Sequence, residues 1–422
     1  MNFRISRPLG RVVLALMTLA PAALPAASLS FLEAQQVALS QSRQLVAQDA
    51  AIASAREMAV AAAQRPDPVL RLSLDNLPVD GPERFSTTRD FMTMRSIALM
   101  QTLPGADKRR ARGERFEREA DAALSERAQR VARLQTEVAQ AWLERYMQEQ
   151  RWLLLQAQIT EARVLVQTTE AALRGGRGST ADALSAREAL AQLEQGVIGA
   201  QAERTNARLT LARFTGGPPD QPLANPPPMR QTAAAVDETD PLRKLPDLVA
   251  LQAREAVARA EAEVARQELK PDWSAEIMFS QRGSAFSNMV SVGVSMPLQW
   301  DRPQRQQREF AARLARVNEL EAEREEQTRE RLLQVQRWRQ DWQAGLARLA
   351  HLDAQREPLA RQRTEVALAA YRGGGEGLGA VLQARRDALS LALERLALER
   401  ETAGLWAQLE YLFPDTSTGV KP

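Results

Sequence analysis

The sequence contains an internal repeat that accounts for most of its 422 residues. Three pairs of matching segments define the repeat: Gln64–Pro68 with Leu269–Trp273, Gln101–Pro104 with Ser295–Leu298, and Ala171–Arg187 with Ala369–Arg385. The offsets between the paired segments are 205, 193 and 198 residues, so the connection between the first two segments is shorter in the second repeat. We therefore expect the chain to fold as two copies of one supersecondary unit that pack on each other.

Each repeat contains one region of strand-like sequence, between its Pro-Asp pair and its later proline. In the second repeat, apolar residues occupy every second position in Trp273–Phe279 and in Val290–Met296. The segment Leu70–Leu74 alternates in the same way in the first repeat, and 93–103 alternates less cleanly. A period of two predicts strands at about 69–76, 93–103, 273–281 and 289–297. Strands of roughly nine to eleven residues are long enough to cross a bilayer at a tilt.

The sequence outside these strands is rich in Ala, Leu, Arg, Glu and Gln, which predicts long helices with narrow apolar seams. The predicted helices cover 32–64, 107–173 and 180–214 in the first repeat (28–215), and 242–269, 303–371 and 378–412 in the second (242–412). The longest two would each extend roughly 100 Å, and Pro358 is expected to kink the second of them. A Pro-rich linker (216–241) separates the repeats, and 413–422 forms a tail. The predicted fold class is mainly α, with long coiled-coil-like helices and a small β part of four strands.

The beginning of the sequence has the layout of a secretory signal peptide, because Arg4, Arg7 and Arg11 precede an apolar run that ends near residue 27. The small-residue rule leaves cleavage open between Ala22 and a position near Ala27. The formal charge of +3 equals these three arginines, so the remaining sequence is formally neutral and gives no support to nucleic-acid binding. The absence of cysteine excludes thiolate metal sites, a catalytic thiol and lipid attachment through an N-terminal cysteine.

Four strands per chain imply an oligomer if they lie in a membrane. Beyond the leader, no stretch reaches the roughly 18 apolar residues that a spanning helix needs, so we expect insertion to use the strands. A four-stranded sheet cannot close on itself, and its unpaired edge groups would each cost several kcal/mol in hydrocarbon. Three chains would pool twelve strands, which is within the range of outer-membrane barrels. The helices would continue this barrel as a periplasmic α-helical barrel.

This repeat of helix, strands and helix pair, with a Gly-containing turn followed by Leu-x-Ala-Arg, resembles the TolC family of outer-membrane efflux proteins over nearly all of the mature sequence. The segments Pro66–Pro78, Thr88–Met94 and Met100–Arg109 are similar to members of heavy-metal and copper efflux systems. The resemblance implies a homotrimeric duct in the outer membrane, docked to a periplasmic adaptor protein and an inner-membrane pump of the resistance-nodulation-division (RND) type. Heavy-metal cations are the favoured cargo, and drugs or other small molecules, or secreted proteins, are the alternatives.

The resemblance also implies functional positions at the two Gly-containing turns. These turns are expected to form the periplasmic tips that contact the adaptor; the residues are Arg174, Gly175, Gly176, Gly178, Arg372, Gly373, Gly374 and Gly377. Tyr371 resembles the family's tyrosine at the entrance constriction, and Asp182 resembles its acidic hydrogen-bond partner. At two further positions where the family pattern has acidic residues, this sequence has Ala380 and Gln383. Simple helix capping by the glycines and the helix-dipole preference of Asp182 are the structural alternatives.

No residue pattern predicts an enzyme, a cofactor or a protein-bound metal. The lone His351 lies between leucines and is expected to be a packing or solvated residue, and Met92, Met94 and Met100 are expected to pack on a barrel or interface surface. The sequence has no phosphate-binding glycine loop and no metal-ligand cluster. A periplasmic coiled-coil scaffold without a channel is the remaining alternative, and the strand alternation argues against it.

Overall fold

The computed structural model describes residues 28–232, 242 and 244–414. The predicted signal peptide (1–27), the later part of the linker (233–241) and the tail from 415 onward lie outside the described residues. The helices of the described chain are α1 (Phe31–Gln41), α2 (Arg43–Ala62), α3 (Ala106–Arg174), α4 (Thr180–Thr215), α5 (Pro246–Glu268), α6 (Gln306–His351), α7 (Glu357–Arg372) and α8 (Leu378–Glu410). The strands are β1 (Val69–Asp75), β2 (Met94–Leu103), β3 (Trp273–Gln281) and β4 (Met289–Ser295). The predicted fold class, mainly helical with a four-stranded sheet, is confirmed.

The four strands form one antiparallel sheet in the order β1-β2-β3-β4. Each hairpin belongs to one repeat, and the pairing of β2 with β3 joins the two repeats. The register places Ile97 opposite both Leu72 and Phe279, and Phe279 opposite Val290. Side chains of one phase therefore form rows that cross all four strands on one face of the sheet.

The helices are long relative to the sheet. α3 contains 69 residues, which corresponds to a length of roughly 100 Å at about 1.5 Å per residue. Its counterpart in the second repeat consists of α6 and α7, joined by a π-helical segment at Leu352–Arg356. Pro358 follows this segment in the first turn of α7, where the missing N–H is tolerated. None of the helices in the described residues is both long enough and apolar enough to cross a membrane.

Helix boundaries differ from the sequence-based expectation at several places; the predicted helix 242–269, for example, begins at Pro246 as α5. The predicted helix 32–64 is two helices, because Ser42 has an extended backbone and its side chain accepts a hydrogen bond from the Leu45 N–H. Ser42 thus caps a new helix, α2, where the apolar periodicity alone predicted continuity. The predicted helix 303–371 begins later, at Gln306, because the chain first makes a turn in which Gln304 and Arg305 donate to the Asp301 carbonyl.

The main core lies midway along the helices, where the first part of the linker crosses them. Two tryptophan indoles in this core donate to main-chain carbonyls: Trp142 Nε1 to Leu29 at 3.3 Å and Trp342 Nε1 to Met229 at 3.3 Å. Leu29 also pairs with Leu223 in an isolated parallel bridge. These bonds fix the linker residues 216–232 against α3 and α6, so this part of the linker is an ordered component of the core.

A buried arginine provides a second attachment for the linker. Arg145 is 2% exposed, forms an ion pair with Glu149 at 3.3 Å and donates to the Gln221 carbonyl. Glu149 also pairs with Arg208 at 3.1 Å. Burial lowers the pKa of Arg145, and its interactions with Glu149 oppose that shift. The guanidinium is therefore held as a paired cation between α3, α4 and the linker.

Candidate functional site

One face of the sheet is a continuous apolar surface that the chain leaves exposed. Its rows consist of Leu72, Ile97, Phe279 and Val290, and of Leu70, Leu99, Ile277 and Val292. Val292 is 76% exposed and Leu72 is 72% exposed, although both lie in regular strands. An apolar patch of this extent on a protein surface marks contact with a membrane or another protein.

The opposite face of the sheet is polar and carries its own side-chain network. Arg71 on β1 forms an ion pair with Glu276 on β3 at 2.8 Å, across the intervening strand β2. Ser96 donates to Asp75 at 2.6 Å and shares a hydrogen bond of 3.0 Å with Ser280. One face of the sheet is thus suited to hydrocarbon and the other to water.

Both outer strands have one free edge. In the described part of the chain, β1 pairs only with β2, and β4 pairs only with β3. Each free edge presents a row of backbone N–H and C=O groups that a further strand can pair with. The sheet is therefore incomplete as a membrane structure unless another chain supplies the missing pairings.

The two long helices of the repeats differ strongly in burial. α3 packs against α2 and α4 of its own repeat and against α5 and α8 of the other repeat, whereas α6 packs mainly on α5 and α8. Within the described residues, 21 positions of α3 are buried, against six in α6, the π-helical segment and α7 together. Sequence analysis missed this difference, because the two helices have similar apolar patterns. The second long helix lacks the neighbours that the first one has.

The two predicted tips have the same backbone structure. After α3, Gly176 has a φ of +70°, and the N–H groups of Gly176 and Arg177 donate to the carbonyls of Leu173 and Ala172. After α7, Gly374 has a φ of +74°, and the N–H groups of Gly374 and Gly375 donate to Tyr371 and Ala370. Both are Schellman motifs, in which glycine adopts the left-handed conformation at little cost. The glycines therefore cap the helices, and adaptor contact at these turns stays a prediction.

The side chains at the tips differ between the repeats. A Cβ atom on Gly178 would lie 2.8 Å from the Leu173 backbone nitrogen, so the first tip requires glycine here. The equivalent position in the second tip is Glu376, which is exposed. Ser179 caps α4 by accepting from the Ala181 N–H, whereas Gly377 begins α8 without a side-chain cap. The remaining predicted tip residues, Arg174, Gly175, Arg372 and Gly373, are exposed.

The predicted entrance residues lie near the tips but do not bond to each other within one chain. Tyr371 packs against an apolar cluster that includes Leu165, Ala186 and Leu378, and so joins helices of both repeats. Asp182 is half-buried in the first turn of α4. No hydrogen bond joins these two side chains within the described residues, and a bond between chains stays a prediction. Gln383, in place of the family's acidic residue, donates to Asp387 at 2.8 Å.

The residues considered as metal ligands lie on three different elements of the chain. His351 is exposed at the end of α6, Met92 is exposed in the loop before β2, and Met94 and Met100 lie on β2. Among the described residues, no group of three or more His, Cys, Asp or Glu side chains is placed to hold a metal ion. The candidate site thus consists of the sheet, its free edges, the exposed second long helix and the two tips.

A comparison with protein families finds a match to the first repeat. Residues 34–217 match the family model described as Outer membrane efflux protein. The first repeat therefore matches the outer membrane efflux protein family. No curated protein sequence matches the chain significantly.

Solved structures with the same fold cover nearly the whole chain, including the second repeat. The outer-membrane channel OprN is 23% identical, with a TM-score of 0.77 over 90% of this chain and 89% of its own. The outer membrane protein VceC from Vibrio cholerae is 21% identical, with a TM-score of 0.73 over 90% and 95%. CusC, whose structures concern transmembrane channel formation, is 15% identical, with a TM-score of 0.74 over 98% and 99%. These likenesses show that the chain shares the fold of these three proteins.

Proposed function

We propose that this protein is the outer-membrane exit duct of a tripartite efflux system and conducts its cargo passively. The single observation that carries the proposal is the four-stranded sheet, which has one exposed apolar face, one polar face and two free edges. In a bilayer, the apolar face suits lipid and the polar face suits a water-filled interior. The edges require further strands, because unpaired backbone groups are too costly in hydrocarbon.

A homotrimer satisfies these requirements. Three sheets joined edge to edge give a barrel of twelve strands, a number within the range of outer-membrane barrels. The same arrangement covers the second long helix, because a neighbouring chain supplies α2 and α4 to α6 and α7. The helices then form a periplasmic barrel that continues the passage through the membrane barrel.

The partners and the location follow from this arrangement. The tips lie at the far ends of the long helices, and this position supports contact with a periplasmic adaptor protein. An RND-type pump in the inner membrane would supply the energy, since no group in this chain is proposed to catalyse a reaction. Export depends on the predicted signal peptide, and the mature chain is proposed to have no lipid anchor.

The cargo is proposed from two features that favour different classes. The resemblance of the Pro66–Arg109 region to heavy-metal efflux proteins favours metal cations. The tips favour cargo other than cations, because the exposed Arg174, Arg177 and Arg372 outnumber the acidic Asp182 and Glu376 there. Heavy-metal cations remain the first proposal, and drug-like small molecules are the alternative.

Deletion of the gene from its host tests the proposal. We expect the wild-type protein to fractionate with the outer membrane, and its loss to increase sensitivity to zinc, cobalt, cadmium, copper and silver ions. Increased sensitivity to dyes and detergents alone would support the drug alternative, and loss of a secreted protein alone would support a secretion duct. Recovery of the chain from the soluble periplasm, with unchanged sensitivity to every compound, would contradict the proposal.

A further inference from the structure

An ion pair joins the two repeats where the sheet meets the helices. Lys108 Nζ lies 2.7 Å from Asp272 Oδ1 and donates to the Lys270 carbonyl at 2.9 Å. The Lys108 side chain is only 7% exposed. Lys108 is in the first turn of α3, just after β2, and Asp272 immediately precedes β3. The pair therefore connects the start of α3 to the start of β3, beside the β2–β3 pairing. We call this connection between helix and strand the junction.

The repeat supplies an equivalent pair of residues at the free margins of the chain. Lys108 is the third residue of α3, and Arg308 is the third residue of α6. Asp272 and Asp67 each follow the proline of their Pro-Asp pair, just before β3 and β1. Arg308 therefore follows β4 and Asp67 precedes β1, the two strands that have free edges.

These two residues have charges but no partners within one chain. Arg308 and Asp67 are both exposed, and neither side chain forms a hydrogen bond or an ion pair in the described part of the chain. Across the four-stranded sheet, the two margins are separated by three strand spacings, roughly 14 Å. The two side chains therefore do not reach each other within one chain.

We propose that Arg308 of one chain pairs with Asp67 of a second chain, and so closes the junction beside the β4–β1 edge. This inference rests on the proposed function, because it requires the chains to meet at these edges. The two outer strands agree in phase with such a contact: Leu70, Leu72 and Leu74 lie on the same face as Val290, Val292 and Val294. An antiparallel pairing that keeps this phase continues the apolar face from one chain to the next.

The charge pattern is specific to this position. Two other ion pairs join α3 to α5, namely Arg112 with Glu268 at 3.1 Å and Glu126 with Arg254 at 2.6 Å. The offsets that relate Lys108 to Arg308 and Asp272 to Asp67 can be applied to these two pairs. Arg112 and Glu268 then correspond to Ala312 and Ala63, and Glu126 and Arg254 correspond to Glu326 and Asp49. Neither set retains opposite charges, whereas Arg308 and Asp67 do. Of these three contacts, only the Lys108–Asp272 pair has equivalents of opposite charge in the other repeat.

Disulfide cross-linking tests the contact directly, because the chain contains no cysteine. The full-length protein is purified in detergent as Asp67→Cys/Arg308→Cys and oxidised. A disulfide requires Cα atoms roughly 4.4–6.8 Å apart, so a bond within one chain is not possible across the sheet. We expect a reducible ladder of covalent oligomers. The control Asp67→Cys/Arg316→Cys moves one partner about 12 Å along α6 and should give no ladder.

Charge reversal provides a second readout. Asp67→Arg and Arg308→Asp should each lower the temperature at which the oligomer dissociates in SDS, and the double variant should regain most of the loss. Glu57→Arg, an exposed charge on α2 that has no ion pair among the described residues, is the matched control and should leave this temperature unchanged.

The outcomes separate the inference from the proposed function. An intact oligomer without the Asp67–Arg308 ladder, and without rescue in the double variant, would overturn the contact and leave the duct standing. A wild-type protein that is monomeric in detergent and fails to restore efflux in the deletion strain would overturn both.

Discussion

Trp142 and Trp342 make the same long-range hydrogen bond in the two repeats. Each indole nitrogen donates at 3.3 Å to the carbonyl of a residue 113 positions earlier, Leu29 for Trp142 and Met229 for Trp342. Met229 belongs to the segment that sequence analysis treated as a linker. Its equivalence to Leu29 indicates that the structural repeat extends into this segment. In both repeats the same hydrogen bond attaches an extended segment to the middle of the long helix.

Loss of either indole donor should weaken the core. Trp142→Phe and Trp342→Phe each remove a buried N–H and leave unfilled volume, so we expect each to lower the free energy of unfolding by about 1–3 kcal/mol. Urea denaturation followed by circular dichroism measures the change. Trp300→Phe is the control, because Trp300 is 87% exposed and its loss should change stability by no more than about 0.5 kcal/mol. Equal effects at all three positions would contradict this account of the core.

The apolar face of the sheet should be sensitive to charge and the polar face should tolerate it. Val292→Lys places a cation on the proposed lipid-facing surface at the centre of β4, which costs about 2–4 kcal/mol. Ser291→Lys places the same charge on the next residue, which faces the polar side. We expect the first variant to lose most of its heat-resistant oligomer from outer-membrane fractions and the second to retain it. A similar loss in both variants would argue against a membrane-facing role for this surface.

The first tip should be more sensitive to a methyl group than the helix next to the second tip. Gly178→Ala forces a Cβ to within 2.8 Å of the Leu173 backbone nitrogen, so the turn must shift. Gly379→Ala, in the first turn of α8, meets no atom within 4 Å and serves as the matched control. At equal outer-membrane amounts, we expect Gly178→Ala to reduce resistance to the exported compound and Gly379→Ala to preserve it. Full resistance with Gly178→Ala would remove the tip from the proposed docking surface.

Much of the fold could be predicted from local sequence patterns. The strict alternation in Trp273–Phe279 and Val290–Met296 predicts strands because a strand turns successive side chains to opposite faces. The Pro-Asp pairs and the Gly-containing turns mark where helices end. The break at Ser42 was missed because its cap depends on a single side-chain hydrogen bond, which apolar periodicity does not register.

The relationships between the repeats could not be predicted in the same way. The greater burial of α3 than of α6 depends on which repeat lies between which neighbours, and both helices carry similar apolar seams. The side-chain position of Tyr371, in a cluster of four helices, also depends on how the repeats pack. The sequence alone does not relate Asp67 to Arg308, because their equivalence to Asp272 and Lys108 depends on a contact between the repeats.

The number of chains in the detergent-purified assembly tests the central claim most directly. Native mass spectrometry of the protein extracted from the outer membrane measures it without assumptions about shape. We predict three identical chains, because this number gives twelve strands and supplies the second long helix with its missing neighbours. A stable monomer with the same β content would contradict the account, since its sheet would keep two unpaired edges in the membrane.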